Sequence, residues 1–226
     1  MDTTVIIPCW IIDISLLKLT ERCIASIRET SNVELIIVDN GSPLGQAFMM
    51  EHADVYIRNQ SNRGYVKAIN QGIKLATKDW ITIGNNDVMV RDNWLEELKK
   101  VFHNTKDCGA AVPHYDHDPI QGELWEERLV GSLFLMKKEV INKIGLFDER
   151  FFNRFSDLDY AWRLKKLGLK IYATSYTTVL HNNSASLGKL PLNEEREEFR
   201  EGSKLLIDKW REDSDMGKAI KEVLGE

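Results

Sequence analysis

The run Trp80 to Gly84, "WITIG", reads as a buried strand, and it leads straight into Asn85, Asn86 and Asp87 before apolar residues resume at Val88. Two amides and an acid at such a point make either a surface turn or the mouth of a site at a strand end. Two other strand-like runs stop in the same way. "TTVIIP" ends in Pro8, Cys9 and Trp10, and "ELIIV" ends in Asp39-Asn40-Gly41-Ser42. In open α/β sheets, ligands bind beyond the carboxyl ends of the strands, where loops converge and helix N-termini point into the crevice. Three polar strand ends in succession favour the site over the turn. The stretch "NQSNRGYVKAINQG" adds Asn62, Arg63 and Gly64 ahead of a helix. Gly64 permits close backbone approach, and free amide groups there would suit phosphate oxygens. Arg63 or Lys67 would add positive charge. A plain helix cap would not require Asn70 on the same helix.

The elements that must position these residues are legible from periodicity. "TTVIIP" precedes a helix in which Leu16, Leu19, Cys23, Ile24 and Ile27 fall at helical spacing. "ELIIV" and "DVYI" follow as strands. Tyr65, Ile69, Gly72, Ile73 and Ala76 mark a second amphipathic helix, and "WITIG" is the fourth strand. Asp92 or Asn93 caps a third helix carrying Leu95, Leu98 and Phe102. Strands alternating with helices of this length predict βαβ units, hence an α/β fold with a mostly parallel sheet flanked by helices.

Beyond residue 112 the pattern loosens. "PHYDHDPIQGELWEERL" has no clean period and reads as loop or covering segment. "VGSLFLM" is a buried strand, "KKEVINKIG" a short helix ended by Gly145, "DLDYAWRLKKLG" a helix ended by Gly168, and "LKIYAT" a further strand. From about Asn193 the chain is charged and helical. Phe199, Leu205, Leu206 and Trp210 there form a narrow apolar stripe that suits packing on the same domain better than binding a partner.

A chain of 226 residues, 43% hydrophobic and 29% charged, accommodates one sizeable globular domain. The net charge of −5 argues against nucleic acid held by a broad basic surface. A phosphate-bearing ligand would therefore need a metal ion or a local cluster to offset repulsion. The three cysteines, Cys9, Cys23 and Cys108, form no CxxC pair and read as reduced thiols of a cytoplasmic protein. No stretch approaches the roughly 18 uninterrupted apolar residues of a membrane span. The N-terminus lacks the basic start of a signal peptide and is interrupted by Pro8 and Asp13. None of this excludes peripheral contact at the inner face of a membrane.

Five segments, "VIIPCW", "ELIIVDNGS", "NRGYVKAINQGIKLATKDWITIGNNDVMV", "GSLFLMKKEVINKIGLFDERFFNRFSDLDYAWRLKKLGLKIY" and "LHNNSAS", resemble in that order the successive motifs of family-2 glycosyltransferases of the GT-A fold. The pattern is closest to rhamnosyl- and related cell-surface polysaccharide transferases, and the resemblance runs from about residue 3 to residue 186. It implies an enzyme, a hexosyl- or deoxyhexosyltransferase, that moves a sugar from a nucleotide-diphosphate donor to a hydroxyl of a glycan or glycolipid acceptor. Inversion at the anomeric carbon, Mn²⁺ or Mg²⁺ as cofactor, and a role in polysaccharide or glycoconjugate synthesis come with it. It implies a nucleotide-binding half over about 1–112, an acceptor-side half over about 113–190, and a helical tail over about 193–226 within one domain.

Residue by residue, the resemblance puts Pro8 and Asp39 in the nucleoside pocket and Asn62 and Gly64 against the nucleotide, with Asn70 and Asn86 counted among the nucleotide-sugar contacts. Asp87 takes the metal, in the place of the family's Asp-x-Asp motif, and His181 completes the metal shell or meets the diphosphate. Asp157 matches the residue that removes the acceptor proton. Two departures stand out. Asn85 replaces the first acid of the metal motif, which weakens the hold on a hard cation. Ser156 replaces a Glu commonly found before the base, and Asp159 is an alternative base nearby. Trp125, Glu126 and Glu127 fall where acceptor loops occur. Two rivals remain: a sugar-nucleotide nucleotidyltransferase, which would carry a Gly-rich basic loop where "PCWIIDISLL" stands, and a non-catalytic nucleotide-sugar binding module.

Overall fold

Strand β1 (Thr3–Cys9) is buried along its whole length, and so is β2 (Glu34–Asp39) beside it. Strands buried on both faces read as continuous apolar runs. The structure, a computed structural model, describes residues 1–127, 129, 131–182 and 191–224. Between β1 and β2 runs α1 (Ile14–Thr30), whose N-terminus is capped by Asp13 Oδ1 accepting the Leu16 amide at 2.9 Å. Its buried face is Leu16, Thr20, Cys23, Ile24 and Ile27, one stripe of a 3.6-residue period. A short helix, α2 (Gln46–His52), leads to β3 (Val55–Arg58), then α3 (Tyr65–Leu75) to β4 (Trp80–Gly84).

These strands are parallel and lie in the order β3-β2-β1-β4. The chain moves outward from β1 to β3 and then returns across β1 to β4. Right-handed crossovers put the helices of outward and returning connections on opposite faces. Accordingly α1 and α2 pack on the face carrying Val5, Ile7, Leu35 and Ile37, while α3 packs on the face carrying Ile6, Ile36 and Val38. The alternation of neighbours between the two cores is the period-2 geometry of a strand. A reversal of strand order between β1 and β4 is where an open sheet gapes at its carboxyl edge. Pro8, Asn85, Asn86 and Asp87 stand at that edge.

The sheet continues with β8 (Leu133–Lys137), antiparallel to β4, then β6 (Cys108–Tyr115) and β9 (Lys170–His181), which run parallel to each other. Two short strands, β5 (Val88–Met89) and β7 (Leu124–Glu126), both pair antiparallel with β9. Helix α4 (Trp94–Asn104) joins the α1 face, and α5 (Lys138–Ile144) and α6 (Ser156–Lys166) the α3 face. The last helices, α7 (Leu192–Trp210) and α8 (Ser214–Leu224), pack on the α3 face through Leu205, Leu206, Trp210, Met216 and Ile220. No helix among the described residues is long and apolar enough to cross a membrane.

The structure differs from the sequence reading in the middle of the chain. Pro113 to Tyr115 end strand β6, and Leu124 to Glu126 form β7, where the pattern reads as loop. Proline has no amide to give a ladder and so argues against a strand. Here it sits at an irregularity, since Pro113 pairs with Thr174 but His114 with Thr178. The extra residues of β9 form a bulge that lengthens the strand past Thr174, the end of "LKIYAT", as far as His181. Residues 183–186 of the last motif lie outside the described residues.

Close approach of α3 to β1 depends on Gly72. A Cβ there would lie 2.4 Å from Cγ2 of fully buried Ile6. Gly72→Ala should therefore lower stability in urea unfolding by roughly 1–3 kcal/mol through overpacking, against the roughly 1 kcal/mol by which alanine favours a helix. An unchanged or raised midpoint would contradict that contact.

Candidate active site

The site is built on a floor of three residues, Gly131, Ser132 and Leu133. Ser132 O accepts the Asn85 amide at 2.8 Å, which fixes the loop after β4. Tyr115 Oη and Leu133 exchange hydrogen bonds at 3.1 and 3.0 Å. Tyr65 Oη, from the first turn of α3, donates to Gly131 O at 2.8 Å. A Cβ on Gly131 would come within 3.5 Å of Asp157 Oδ2, so the α6 carboxylate lies over the same floor. The Tyr65 hydroxyl is pushed well above its ordinary range by burial and then by the charges of Asp157, Tyr115 and Asp87. The charges of Asp87 and Asp157, seventy residues apart in sequence, thus both bear on one half-buried tyrosine.

Asp87 and His181 meet because β5 pairs with the end of β9, Val88 opposite His181. Asn182 N donates to Asp87 O at 3.3 Å and continues that pairing. His181 Nε2 lies 3.4 Å from Asp87 Oδ1, with only 10% and 5% of the two side chains exposed. That nitrogen is buried and makes no hydrogen bond among the described residues. The rings of Tyr115 and His117 flank His181 with centroids 5.9 and 6.4 Å away. Below the loop, Asn86 Nδ2 donates to Thr20 Oγ1 at 2.7 Å, and Cys23 Sγ donates to Asn85 O at 3.5 Å. The Cys23 thiol is pushed up to about 12 by burial, with the Asp87 charge adding to it.

An acid and an imidazole in contact, one of them with a buried nitrogen unspent, suit a divalent cation. Among the described residues no group of three or more His, Cys, Asp and Glu is arranged to hold one. Two protein donors alone would leave most of such a cation's shell to water or to oxygens of a ligand.

The loops after β2 and β3 are tied together by Asn40. Its Nδ2 donates to Asn62 Oδ1 at 2.8 Å and Gly64 O at 3.1 Å, and its Oδ1 accepts from Asn59 Nδ2 and the Arg63 amide, both at 3.0 Å. Asn59 and Gln71 exchange amide bonds at 2.9 and 3.0 Å, anchoring the loop to α3. Gly41, at φ +81°, lets the turn after β2 approach the backbone of Ser61, where a Cβ would lie 2.6 Å from Ser61 Cα. Pro8 is buried in β1 opposite Val38.

Three sequence expectations change in this setting. The N-terminus of α3 offers no free amide at its first positions. Gly64 N donates to Asn62 Oδ1, Tyr65 N to Asn153 Oδ1 and Val66 N to Phe152 O, because the loop before α6 closes over it. A Cβ on Gly64 would lie 2.7 Å from Phe152 O, so the glycine serves that closure. Asn70 is fully buried, with Nδ2 donating to Phe147 O at 2.9 Å and Oδ1 accepting the Phe147 amide at 3.1 Å, and it holds the loop after α5. Asp159 is no alternative base. It is fully buried, paired with Arg163 at 3.1 Å and Lys209 at 2.7 Å, and accepts from Trp210 Nε1 at 2.9 Å. Asp157, two residues earlier, is half-buried in the first turn of α6.

Asp39 is likewise fully buried, accepting from Ser42 N at 2.8 Å, from Tyr56 Oη at 2.6 Å and from Arg58. Contact with a nucleoside would exchange one of these bonds, and Arg58, 37% exposed, is the group nearer solvent. Burial, then the bond to Asp39, pushes the Tyr56 hydroxyl up to about 12. Tyr56 and Arg58 are two apart on one strand, so period-2 reading of "VYIR" would have placed both on one face. Trp125 Nε1 donates to Glu127 Oε2 at 3.0 Å, and Glu126 pairs with Lys170 at 3.0 Å at the β7 edge.

Residues 4–163 match the family described as Glycosyl transferase family 2. The chain belongs to that family. Its sequence is 26% identical over 229 residues to an N-acetylglucosaminyl-diphospho-decaprenol L-rhamnosyltransferase of Mycobacterium tuberculosis, covering 76% of this chain and 74% of that one. It is 31% identical over 120 residues to glycosyltransferase GlyG of Streptococcus pneumoniae, covering 50% of this chain and 39% of the relative. The alignment with GlyG thus spans well under half of that protein. Among solved structures, the fold matches GalNAc-T7 with UDP, GalNAc and Mn²⁺ at a TM-score of 0.67 and 15% identity, over 80% of this chain and 44% of that one. It also matches the mannosyltransferase PcManGT of Pyrobaculum calidifontis, in complex with GDP-Man and Mn²⁺, at 0.65 and 16%, over 92% and 64%. The fold is therefore the GT-A glycosyltransferase fold, and the nucleotidyltransferase reading falls away.

The Asn40 network yields a direct test. Asn40→Ala removes four hydrogen bonds and should cost roughly 2–6 kcal/mol in urea unfolding, at about 0.5–1.5 kcal/mol for each bond. A loss below roughly 0.5 kcal/mol, the range of ordinary surface changes, would show that the loops hold without it.

Proposed function

We propose that this chain is a metal-dependent inverting glycosyltransferase, transferring a hexosyl or deoxyhexosyl unit from a nucleotide-diphosphate donor to a hydroxyl of a glycan or glycolipid. The observation that supports it best is the convergence of the Asp87–His181 pair and Asp157 on the floor under Tyr65. The donor side is the gaping edge at β1, β2 and β4, within about 1–112, and the acceptor side lies within about 113–190. The match of fold with proteins solved with UDP or GDP-Man and Mn²⁺ is consistent with this division. We place the work in the cytoplasm or at the adjoining membrane face, where a lipid-linked acceptor would be met.

Asp87 and His181 would hold Mn²⁺ or Mg²⁺, and a cation there supplies charge neutralisation for a diphosphate leaving group. The chain's own residues do the rest. Thr20, Cys23 and Ser132 fix the loop of Asn85, Asn86 and Asp87, so that the acid need not reorganise when a ligand arrives. Arg58, Asn62 and the backbone near Pro8 line the side on which a nucleoside would lie. Asp157 takes the proton of the acceptor hydroxyl while the hydroxyl oxygen bonds to the anomeric carbon, and the bond from that carbon to the diphosphate breaks on the opposite face. The helix N-terminus favours negative charge on Asp157, as a proton acceptor requires. Ser156 Oγ donates to Asn153 O at 3.1 Å, so the serine in place of the family acid closes the turn ahead of the base.

Asp157→Asn keeps the shape and removes the basicity. The variant should bind UDP, dTDP or GDP with Mn²⁺ as the wild type does, but lose transfer by roughly 10² or more, the scale of general-base catalysis. Asp159→Asn should retain far more transfer and instead melt earlier. Near-normal transfer by Asp157→Asn on an acceptor the wild type uses would remove Asp157 from the role.

A further inference from the structure

The segment 151–155 stands between the two halves of the proposed site, and it is held from outside. On one side it closes the first turn of α3, with Asn153 Oδ1 accepting from Tyr65 N at 3.0 Å and Phe152 O from Val66 N at 3.3 Å. On the other side it leads directly into α6 and Asp157. Its own conformation is not one that local sequence favours. Phe155, immediately before α6, has φ +65° and ψ −4°, a left-handed geometry that a bulky residue rarely adopts unless its surroundings impose it.

Those surroundings are on α7, beyond the stretch 4–163 that matches the family. Glu198 Oε1 accepts the backbone amides of Asn153 at 3.2 Å and Arg154 at 2.8 Å. The Arg154 guanidinium folds back over the same helix, 3.1 Å from Glu198 and 2.6 Å from Glu195. The ring of Phe199 meets Phe155 edge to face at 5.1 Å. One turn on, Gly202 leaves room for the Phe155 ring, which a Cβ there would approach to 2.8 Å. At the far end of α7, Lys209 and Trp210 hold Asp159 of α6 at 2.7 and 2.9 Å. Helix α7 therefore grips the segment before the base and the turn after it. Of these contacts, only those of Glu198 reach the backbone of the segment itself.

We propose that Glu198 is a positioning residue for the transfer reaction: by accepting two backbone amides of segment 151–155 it fixes the start of α6, and with it Asp157, relative to the capped end of α3. This rests on the reading of Asp157 as the base. A carboxylate lying 13% exposed against two amides and a guanidinium has the stiffness to do so. The amide of glutamine can accept the same two N–H groups through its carbonyl oxygen, while alanine cannot.

The full chain is compared as wild type, Glu198→Ala and Glu198→Gln by hydrogen–deuterium exchange, and by turnover of whichever UDP-, dTDP- or GDP-sugar the wild type consumes with Mn²⁺. In Glu198→Ala the Tyr65 and Val66 amides, which Glu198 does not touch, should exchange about tenfold faster or more, since their caps sit on the loosened segment. The kcat should fall by about tenfold or more with the donor KM within about twofold, the pattern of a misplaced group and not of a lost binding contact. Glu198→Gln should restore both to near wild type. Wild-type exchange and kcat in Glu198→Ala would overturn the proposal. So would equal damage in the two variants, or a loss carried by the donor KM. Asp157→Asn run alongside separates the two readings. If it transfers normally, the base assignment fails; if it is inactive while Glu198→Ala keeps its kcat, only the role of Glu198 fails.

Discussion

Two residues of antiparallel pairing set the geometry on which the candidate site depends. Val88 and Met89 lie against His181 and Leu180, and by that register alone an acid at the end of the fourth strand comes to face a histidine ninety-four residues later. Between Thr174 and Thr178 the register of β9 against β6 shifts, and β9 runs on to His181, where it pairs with β5. The contact lies just past the carboxyl end of β4, beside the edge where the strand order reverses between β1 and β4. What the fold contributes at this edge is a buried contact between an acid and an imidazole where a sheet would otherwise present only loops.

Much of the remaining polar structure serves to keep that edge still. Asn86 and Cys23 tie the Asp87 loop to α1, Ser132 ties it to β8, and Asn40 locks the turns after β2 and β3 to each other. The amide side chains outnumber the charged ones in these networks. In a chain of net charge −5, neutral donors and acceptors hold loops beside a would-be phosphate site without adding further negative charge. Charge is concentrated instead where it meets an opposite partner, as at Asp39 with Arg58 and Asp159 with Lys209 and Arg163.

The sequence shows its first half more plainly than its second, for physical reasons. Strands β1 to β4 are buried on both faces and separated by helices with clean stripes, so periodicity alone locates them. The polar residues at their carboxyl ends gather at one edge of the sheet, as the pattern predicts. Strand β6 is hidden because Gly109, Ala110 and Ala111 carry little apolar bulk and Pro113 argues against a ladder. Roles at single residues depend on contacts that spacing does not record. Asp157 and Asp159 are two apart and chemically alike, and only burial among Arg163, Lys209 and Trp210 separates them. Gly64 reads as a phosphate turn but makes room for Phe152, a residue eighty-eight positions away. Tyr65 reads only as part of a helix stripe and Tyr115 only as an aromatic in an irregular stretch, so neither signals its place in the floor.

The central claim is that Asp87 and His181 grip one cation, and pulsed electron paramagnetic resonance of Mn²⁺ reads its ligands directly. With Mn²⁺ and UDP, dTDP or GDP bound, the wild type should show nitrogen modulation from a coordinated imidazole. His181→Ala should lose the modulation while keeping bound Mn²⁺, and Asp87→Ala should lose the bound Mn²⁺. Bound Mn²⁺ with no nitrogen modulation in the wild type, and unchanged in both variants, would place the cation elsewhere and contradict the account.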